Sequence, residues 1–162
     1  MTISLGVVMD PISAINPKKD STLAMLIAAQ ARGWSLRYME MADLSMHGSE
    51  PVARVRALTV RDDLNDWYEL DAPDHASTVP MGDLDVVLMR KDPPFDIEYI
   101  YATYILEQAQ HRGTLVVNAP RTLRDANEKM FTAWFPQCTP PTLVTRRHDE
   151  LRAFLDEHGD IV

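Results

Sequence analysis

The stretch "ISLGVVMDPISAINPKKDSTLAMLIAAQARGWSLRYMEM", residues 3–41, decides the fold. "ISLGVVM" (3–9) is a short β-rich apolar run with no helical period, the pattern of a buried strand. Asp20 or Ser21 can cap the helix that comes next. Leu23, Leu26, Ile27 and Gln30 recur at i, i+3, i+4 and i+7, which predicts one buried helical face, and Gly33 ends the helix. "WSLRYMEM" (34–41) is a second strand. Strand, helix and strand in that order call for a parallel pair joined by a right-handed crossover.

Downstream, the rhythm breaks and then resumes. Residues 44–80 predict an antiparallel excursion at the sheet edge: a turn at "MHGSE", a half-exposed strand in "PVARVRALTV" and a short one in "WYEL". "DAPDHASTVPMGD" (71–83) reads as a turn-rich loop. "LDVVLMR" is a strand, Asp96 caps a long helix, and Ile97, Ile100, Tyr101, Tyr104, Ile105 and Gln108 are its expected buried stripe. Gly113 closes that helix and "TLVVN" is the next strand. Helix is expected from about Thr122 to Phe135, a strand at "TLVTR", an amphipathic helix in "HDELRAFLDEHG" with Leu151, Phe154 and Leu155 on one face, and a strand beginning at "DIV". The fold class is therefore α/β, a mostly parallel open sheet with helices on both faces, Rossmann-like, with an antiparallel edge excursion.

Composition bounds the function. The 162 residues carry 46% hydrophobic and 25% charged side chains, enough apolar material for a core without disulfide or metal staples. The net charge of −8 argues against nucleic acid or an anionic membrane as the main partner. The lone Cys138 cannot pair within the chain, "MTISLGVVMD" lacks a basic n-region, and no apolar run approaches membrane length, so a cytoplasmic location is expected. The five histidines show no metal-ligand spacing, and no zinc or other metal site is expected within the chain.

In such sheets ligands bind beyond the carboxyl ends of the strands. Three of those ends are polar: "MDPIS", "MRKDPPFD" and "VVNAPRTLRD". Arg90 offers a planar fork of donors for a carboxylate, Lys91 a point charge and Asp92 an acceptor for an ammonium. Pro93 and Pro94 stiffen the turn behind them. Spacing leaves two readings open: a rigid turn aiming a charged trio at a zwitterionic or anionic ligand, or a solvated turn with a local ion pair worth almost nothing. Asp10 ends the first strand where nucleotide folds place phosphates, but "VMDPISAIN" has none of the glycines of a dinucleotide fingerprint, and no P-loop is present. Lys18 and Lys19 can meet an anion or lie in a solvated loop. Arg121, Arg124 and Lys129 read from spacing as the exposed face of a helix.

Four longer motifs, "GVVMDPISAINPKKDST" (6–22), "RYMEMADL" (37–44), "LMRKDPPFDIEYIYATYILEQA" (88–109) and "RGTLVVNAPRTLRDANEKMFTAWFPQCTPPTLVTR" (112–146), resemble the bacterial glutathione synthetases, a family of ATP-grasp ligases. The likeness runs from Ile3 to Val162 and includes the rare combinations MDPI, RKDPPFD and RDANEK. It implies a pre-ATP-grasp substrate-side domain over residues 1–123 and the first part of an ATP-grasp domain over 124–162. The family uses ATP with Mg2+ (or Mn2+) to phosphorylate the cysteinyl carboxylate of γ-glutamylcysteine, and the amine of glycine attacks the acyl phosphate. Lys129 in "NEK" then matches a lysine on the nucleotide phosphates, and Arg90 becomes the substrate-facing cation, with Lys91, Asp92 and Asp10 as its neighbours. A homotetramer is implied as well. The family's second ATP lysine, glycine-rich loop and Mg2+-binding acids fall beyond "DIV", so the chain is expected to be the N-terminal part and inactive alone. The alternatives are a non-catalytic module of this fold that binds a small peptide or nucleotide, and a domain serving mainly as an oligomer interface.

Overall fold

The computed structural model describes residues 2–126 and 129–162. The chain divides into two compact units, Met1–Arg124 and Asp125–Val162. No helix among the described residues is long and apolar enough to cross a membrane.

The first unit is built on β1 (Ser4–Val8), α1 (Ser21–Ala31) and β2 (Ser35–Met39), as the opening stretch predicts. β1 and β2 pair in parallel from Ser4↔Ser35 to Val8↔Met39. The Asp20 carboxylate caps α1 by accepting the Leu23 amide at 2.6 Å. Gly33, at φ +78°, closes the helix in a conformation that a side chain would strain. α1 buries Leu23, Leu26 and Ala29 rather than Ile27. The remaining member of the expected stripe, Gln30, bonds a strand instead of packing. Its amide donates to the Val60 carbonyl at 2.8 Å and its oxygen accepts the Val60 amide at 2.9 Å. That side chain completes the hydrogen bonding of β4 beyond Leu58, where its ladder with β2 has ended.

The antiparallel excursion is richer than its sequence suggests. β3 (Leu44–His47) and the long β4 (Glu50–Val60) form a hairpin, followed by β5 (Tyr68–Leu70) and β6 (Ser77–Pro80). β4 pairs with β2 and β5 near Leu58, and with β3 and β6 near Val52 and Ala53. β6 lies inside the segment expected to be loop. Its four residues carry little apolar signal, and the ladder with β4, not local propensity, makes it a strand.

The parallel rhythm returns with β7 (Val86–Met89), α2 (Ile97–His111) and β8 (Leu115–Val117), and a short α3 (Pro120–Asp125) runs to the unit boundary. The strand order is β3-β4-β2-β1-β7-β8, with β5 and β6 on β4. β1, β2, β7 and β8 are mutually parallel. Successive β1 residues feed opposite faces: Leu5 and Val7 join Leu23, Leu26 and Tyr38 under α1, while Val8 joins Val87, Met89 and Leu106 under α2. Replacing a core leucine such as Leu26 or Leu106 with alanine costs about 2–5 kcal/mol by transfer plus cavity.

α2 corrects its expected stripe. The Asp96 carboxylate caps it, accepting the Tyr99 amide at 2.9 Å, but the buried face is Tyr99, Ala102, Thr103, Leu106 and Ala109. Ile97, Tyr101 and Tyr104 are at least half exposed. Both sets have helical spacing. Small residues at 102 and 109 let the helix approach the sheet closely, and size alone did not mark them as core. Arg124 also departs from the exposed reading: its guanidinium bonds Glu107 at 2.6 Å and Thr103 at 3.1 Å and lies 4.4 Å from the centre of the Tyr104 ring.

Among its described residues, the second unit carries one amphipathic helix, α4 (His148–His158), and two 3-10 turns, Met130–Trp134 and Pro136–Cys138. The helix expected from Thr122 to Phe135 is thus in two pieces, α3 and a 3-10 turn, and Asn127 and Glu128 between them lie outside the described residues. "TLVTR" and "DIV" form no strand. A strand needs a ladder partner, and this unit has none among the described residues.

Candidate functional site

The order of the parallel strands creates one topological switch point. From β1 the chain crosses through α1 to β2 on one side, and from β7 through α2 to β8 on the other. β1 and β7 are adjacent, with Val8 opposite Met89, so the loops after them leave the sheet together and diverge. A crevice opens at such a point. The loops are residues 9–20 and 90–96, and they carry Asp10, Arg90, Lys91 and Asp92. The sequence motifs that ended in charge therefore meet in space.

Three of these side chains, Asp10, Lys91 and Arg90, have definite partners. Lys91 Nζ stands 2.9 Å from Asp10 Oδ1, and the Asp92 amide donates to Asp10 Oδ2 at 3.0 Å. Lys91 also donates to the Asp92 carbonyl at 2.7 Å. Asp10 is thus the clasp between the two loops, and the Lys91 charge is engaged there. Arg90 is turned toward the first turn of α1. Its amide donates to the Val8 carbonyl at 2.7 Å, its Nε to Thr22 Oγ1 at 3.0 Å and its Nη2 to Ser21 Oγ at 3.0 Å. Thr22 is buried, so the hydroxyl fixes the guanidinium from below. The other three guanidinium N–H groups bond no described residue. The Pro93–Pro94 peptide is cis.

A groove of about 210 Å3 lies over this arrangement, lined among others by Arg90, Asp92, Lys19, Ser21 and Thr22. It shares Asp10, Lys19 and Asp92 with a wider depression of about 470 Å3 along residues 10–20. Asp20 and Asp10 have their carboxylates engaged. The groups left to meet a ligand are the Arg90 guanidinium, the Lys19 ammonium and the Asp92 carboxylate. Two cations and one anion suit a zwitterion with more than one carboxylate. Lys19, which spacing left between two readings, lines both hollows, and Ser21 and Thr22 were missed as partners. Two hydroxyls at the helix start were the available signal: one residue among Asp20 and Ser21 serves as the cap, and the hydroxyls it leaves over can accept from a neighbouring cation.

Lys129 lies in the second unit, exposed, and lines a groove of about 430 Å3 with Met130, Thr132, Pro136 and Thr142. Asn127 and Glu128 of its "NEK" motif lie outside the described residues. Among the described residues, no three His, Cys, Asp or Glu side chains converge as a metal ion requires, and the residues in the crevice do not fit a Mg2+ site.

Comparison with known proteins divides the chain in the same way. Residues 3–124 match the prokaryotic glutathione synthetase N-terminal domain, and residues 128–162 match the prokaryotic glutathione synthetase ATP-grasp domain. The chain is 60% identical over 160 residues to the glutathione synthetase of Yersinia pestis, covering 99% of the chain and 49% of the relative. It is 58% identical over 162 residues to that of Pseudomonas aeruginosa and 56% identical over 162 residues to that of Vibrio vulnificus strain YJ016, covering all of the chain and 50% of each relative. The chain spans about half the length of the curated relatives it matches. With both domain models and relatives of this identity in agreement, the chain belongs to the prokaryotic glutathione synthetase family.

Proposed function

We propose that the natural protein bearing this chain makes glutathione, joining γ-glutamylcysteine to glycine with the cleavage of ATP. In the proposed reaction the γ-phosphoryl group passes to the cysteinyl carboxylate and ADP leaves. The glycine amine then attacks the acyl carbon and expels phosphate, losing a proton. Residues 1–123 form the substrate-side domain of this reading, and 124–162 open the ATP-grasp domain. Arg90 binds a carboxylate of the dipeptide, Asp92 answers its ammonium, and Asp10 with Lys91 holds the two loops in register. Lys129 contacts the ATP phosphates. Mg2+ (or Mn2+), which accompanies ATP, is held elsewhere. The chemistry these residues supply is positioning and charge stabilisation rather than covalent participation.

The observation that carries the reading is the set of groups at the switch point with no ion-pair partner among the described residues, two cations and one carboxylate beside a groove; the Arg90 guanidinium is steadied by two hydroxyls and keeps three N–H groups for a ligand. γ-Glutamylcysteine presents two carboxylates and one ammonium, the complementary set. The names of the relatives supply glutathione as the product. The reading also takes the active form to be a cytoplasmic homotetramer and these 162 residues alone to be inactive.

The test is ATP-dependent phosphate release with γ-glutamylcysteine and glycine, run on the 162-residue chain and on the whole natural protein. Release by the whole protein and none by the short chain supports the proposal. Silence in both, with tight calorimetric binding of the dipeptide, supports a non-catalytic binding module instead. In the whole protein, Lys129→Ala weakens ATP binding strongly, and an unchanged nucleotide affinity removes Lys129 from the site.

A further inference from the structure

Tyr38 is fully buried on β2, on the face packed by α1. A buried phenol needs a partner for its hydroxyl, and this one has two. It donates to Glu40 Oε1 at 2.7 Å and accepts the Ile12 amide at 3.3 Å. Ile12 opens the 3-10 turn Ile12–Ala14, and the residue before it, Pro11, offers no side-chain cap. Its amide is therefore an orphan donor in a buried place, satisfied across 26 positions of sequence by one hydroxyl. Glu40 is held in turn: the Asp43 carboxylate accepts its amide at 2.8 Å, and the two residues form a reciprocal cap on the turn Met41–Asp43. Arg56 lies 5.1 Å from the centre of the Tyr38 ring. The charged groups facing the phenol are thus Glu40 from its own strand end and Arg56 from β4. Burial, and then the hydrogen bond to Glu40, push the phenol up from its ordinary pKa, so it remains the donor to Glu40 at neutral pH.

The loop so held is the one that bears Asp10. Only Pro11, with its restricted φ, separates Asp10 from Ile12. The Asp10 carboxylate is fixed from one side by Lys91 and the Asp92 amide. On the other side, its backbone is fixed through Ile12 by Tyr38.

We propose that Tyr38 is a positioning residue for the dipeptide site: its hydroxyl sets the Asp10–Ile15 loop, and hence the width of the crevice between Asp10 and Arg90, without touching substrate. This rests on the assignment of the switch-point groove to the dipeptide. It predicts an effect confined to one substrate, because ATP is assigned to the second unit.

The experiment is steady-state kinetics on the whole natural protein as Tyr38→Phe, beside Asp10→Ala and the unsubstituted enzyme, with Tm measured for each. Phenylalanine keeps the ring and its packing and removes only the hydroxyl. The expected result is a KM for γ-glutamylcysteine raised about tenfold, with the KM for ATP and the saturated kcat within about twofold, the size of effect that loss of one buried hydrogen-bond partner produces. Hydrogen exchange in a peptide covering residues 9–15 should quicken in the same variant. A lowered Tm with all kinetic constants unchanged means that Tyr38 serves stability alone and overturns the inference. An equal rise in both KM values overturns it too. The two readings separate cleanly: if Asp10→Ala raises the dipeptide KM and Tyr38→Phe does not, the positioning role fails and the site stands. If neither substitution moves it, the assignment of the groove fails, and the role of Tyr38 with it.

Discussion

The Asp10–Lys91 clasp makes a quantitative prediction. Coulomb's law for unit charges 2.9 Å apart gives about 1.4 kcal/mol in bulk water and roughly 6 kcal/mol at the effective dielectric of a protein surface. Neither figure is the net value. The two side chains keep 20% and 34% of their exposure, so solvent still screens them and ordering both costs entropy. A net coupling of about 1 kcal/mol remains. Asp10 also accepts the Asp92 amide, a further contribution of about 1 kcal/mol. Asp10→Ala should then cost about 2 kcal/mol and Lys91→Met about 1 kcal/mol, while the double variant costs about 2 kcal/mol rather than 3. The assay is urea unfolding of the four chains at low salt, followed by a probe confined to the first unit and compared at constant m. Repetition at 1 M salt should reduce the coupling. A double variant that costs the sum of the singles at low salt refutes the clasp and returns the RKDPP turn to a solvated loop.

Two further outcomes rest on local geometry. Gln30→Ala removes both hydrogen bonds to the Val60 backbone and should lower stability by about 2 kcal/mol in the same unfolding assay, whereas Gln30→Glu, which can accept but not donate, should fall between. Because the Tyr38 pKa is raised in the folded state, the unfolded chain loses that proton first as pH climbs past the ordinary tyrosine value of 10.0. The contribution is fully present below that pH and declines above it, by at most about 1.4 kcal/mol per pH unit. Tyr38→Phe should flatten the alkaline loss of stability, and identical alkaline slopes would contradict the burial of an un-ionised phenol.

Much of the fold was legible because it is written in local signals. The caps at Asp20 and Asp96 and the stops at Gly33 and Gly113 act within a few residues, so residues 3–41 read as strand, helix and strand without tertiary help. The errors arise where partners decide. β6 is a strand only because β4 pairs with it. α2 offers two apolar stripes, and which one is buried depends on how closely the helix approaches the sheet. "TLVTR" has strand composition and no ladder to join. The site divides in the same way. Asp10, Arg90, Lys91 and Asp92 were visible as charge at strand ends, but their division of labour was not. Nothing in the order Arg-Lys-Asp says that Lys91 turns inward to Asp10 while Arg90 rests on Ser21 and Thr22. Lys19 was visible as a loop cation but not as a wall of the crevice, and Tyr38 enters through a hydrogen bond across 26 positions that sequence spacing does not contain.

The central claim is that the crevice between β1 and β7 holds the dipeptide through Arg90. The most direct measurement is kcat/KM for γ-glutamylcysteine in the whole natural protein as Arg90→Ala, with the ATP constants taken in parallel. If Arg90 binds a buried carboxylate, kcat/KM for the dipeptide falls by about 2–4 kcal/mol, roughly 30-fold to several hundred-fold, while the KM for ATP stays unchanged. Unaltered dipeptide kinetics in a folded Arg90→Ala enzyme would contradict the account.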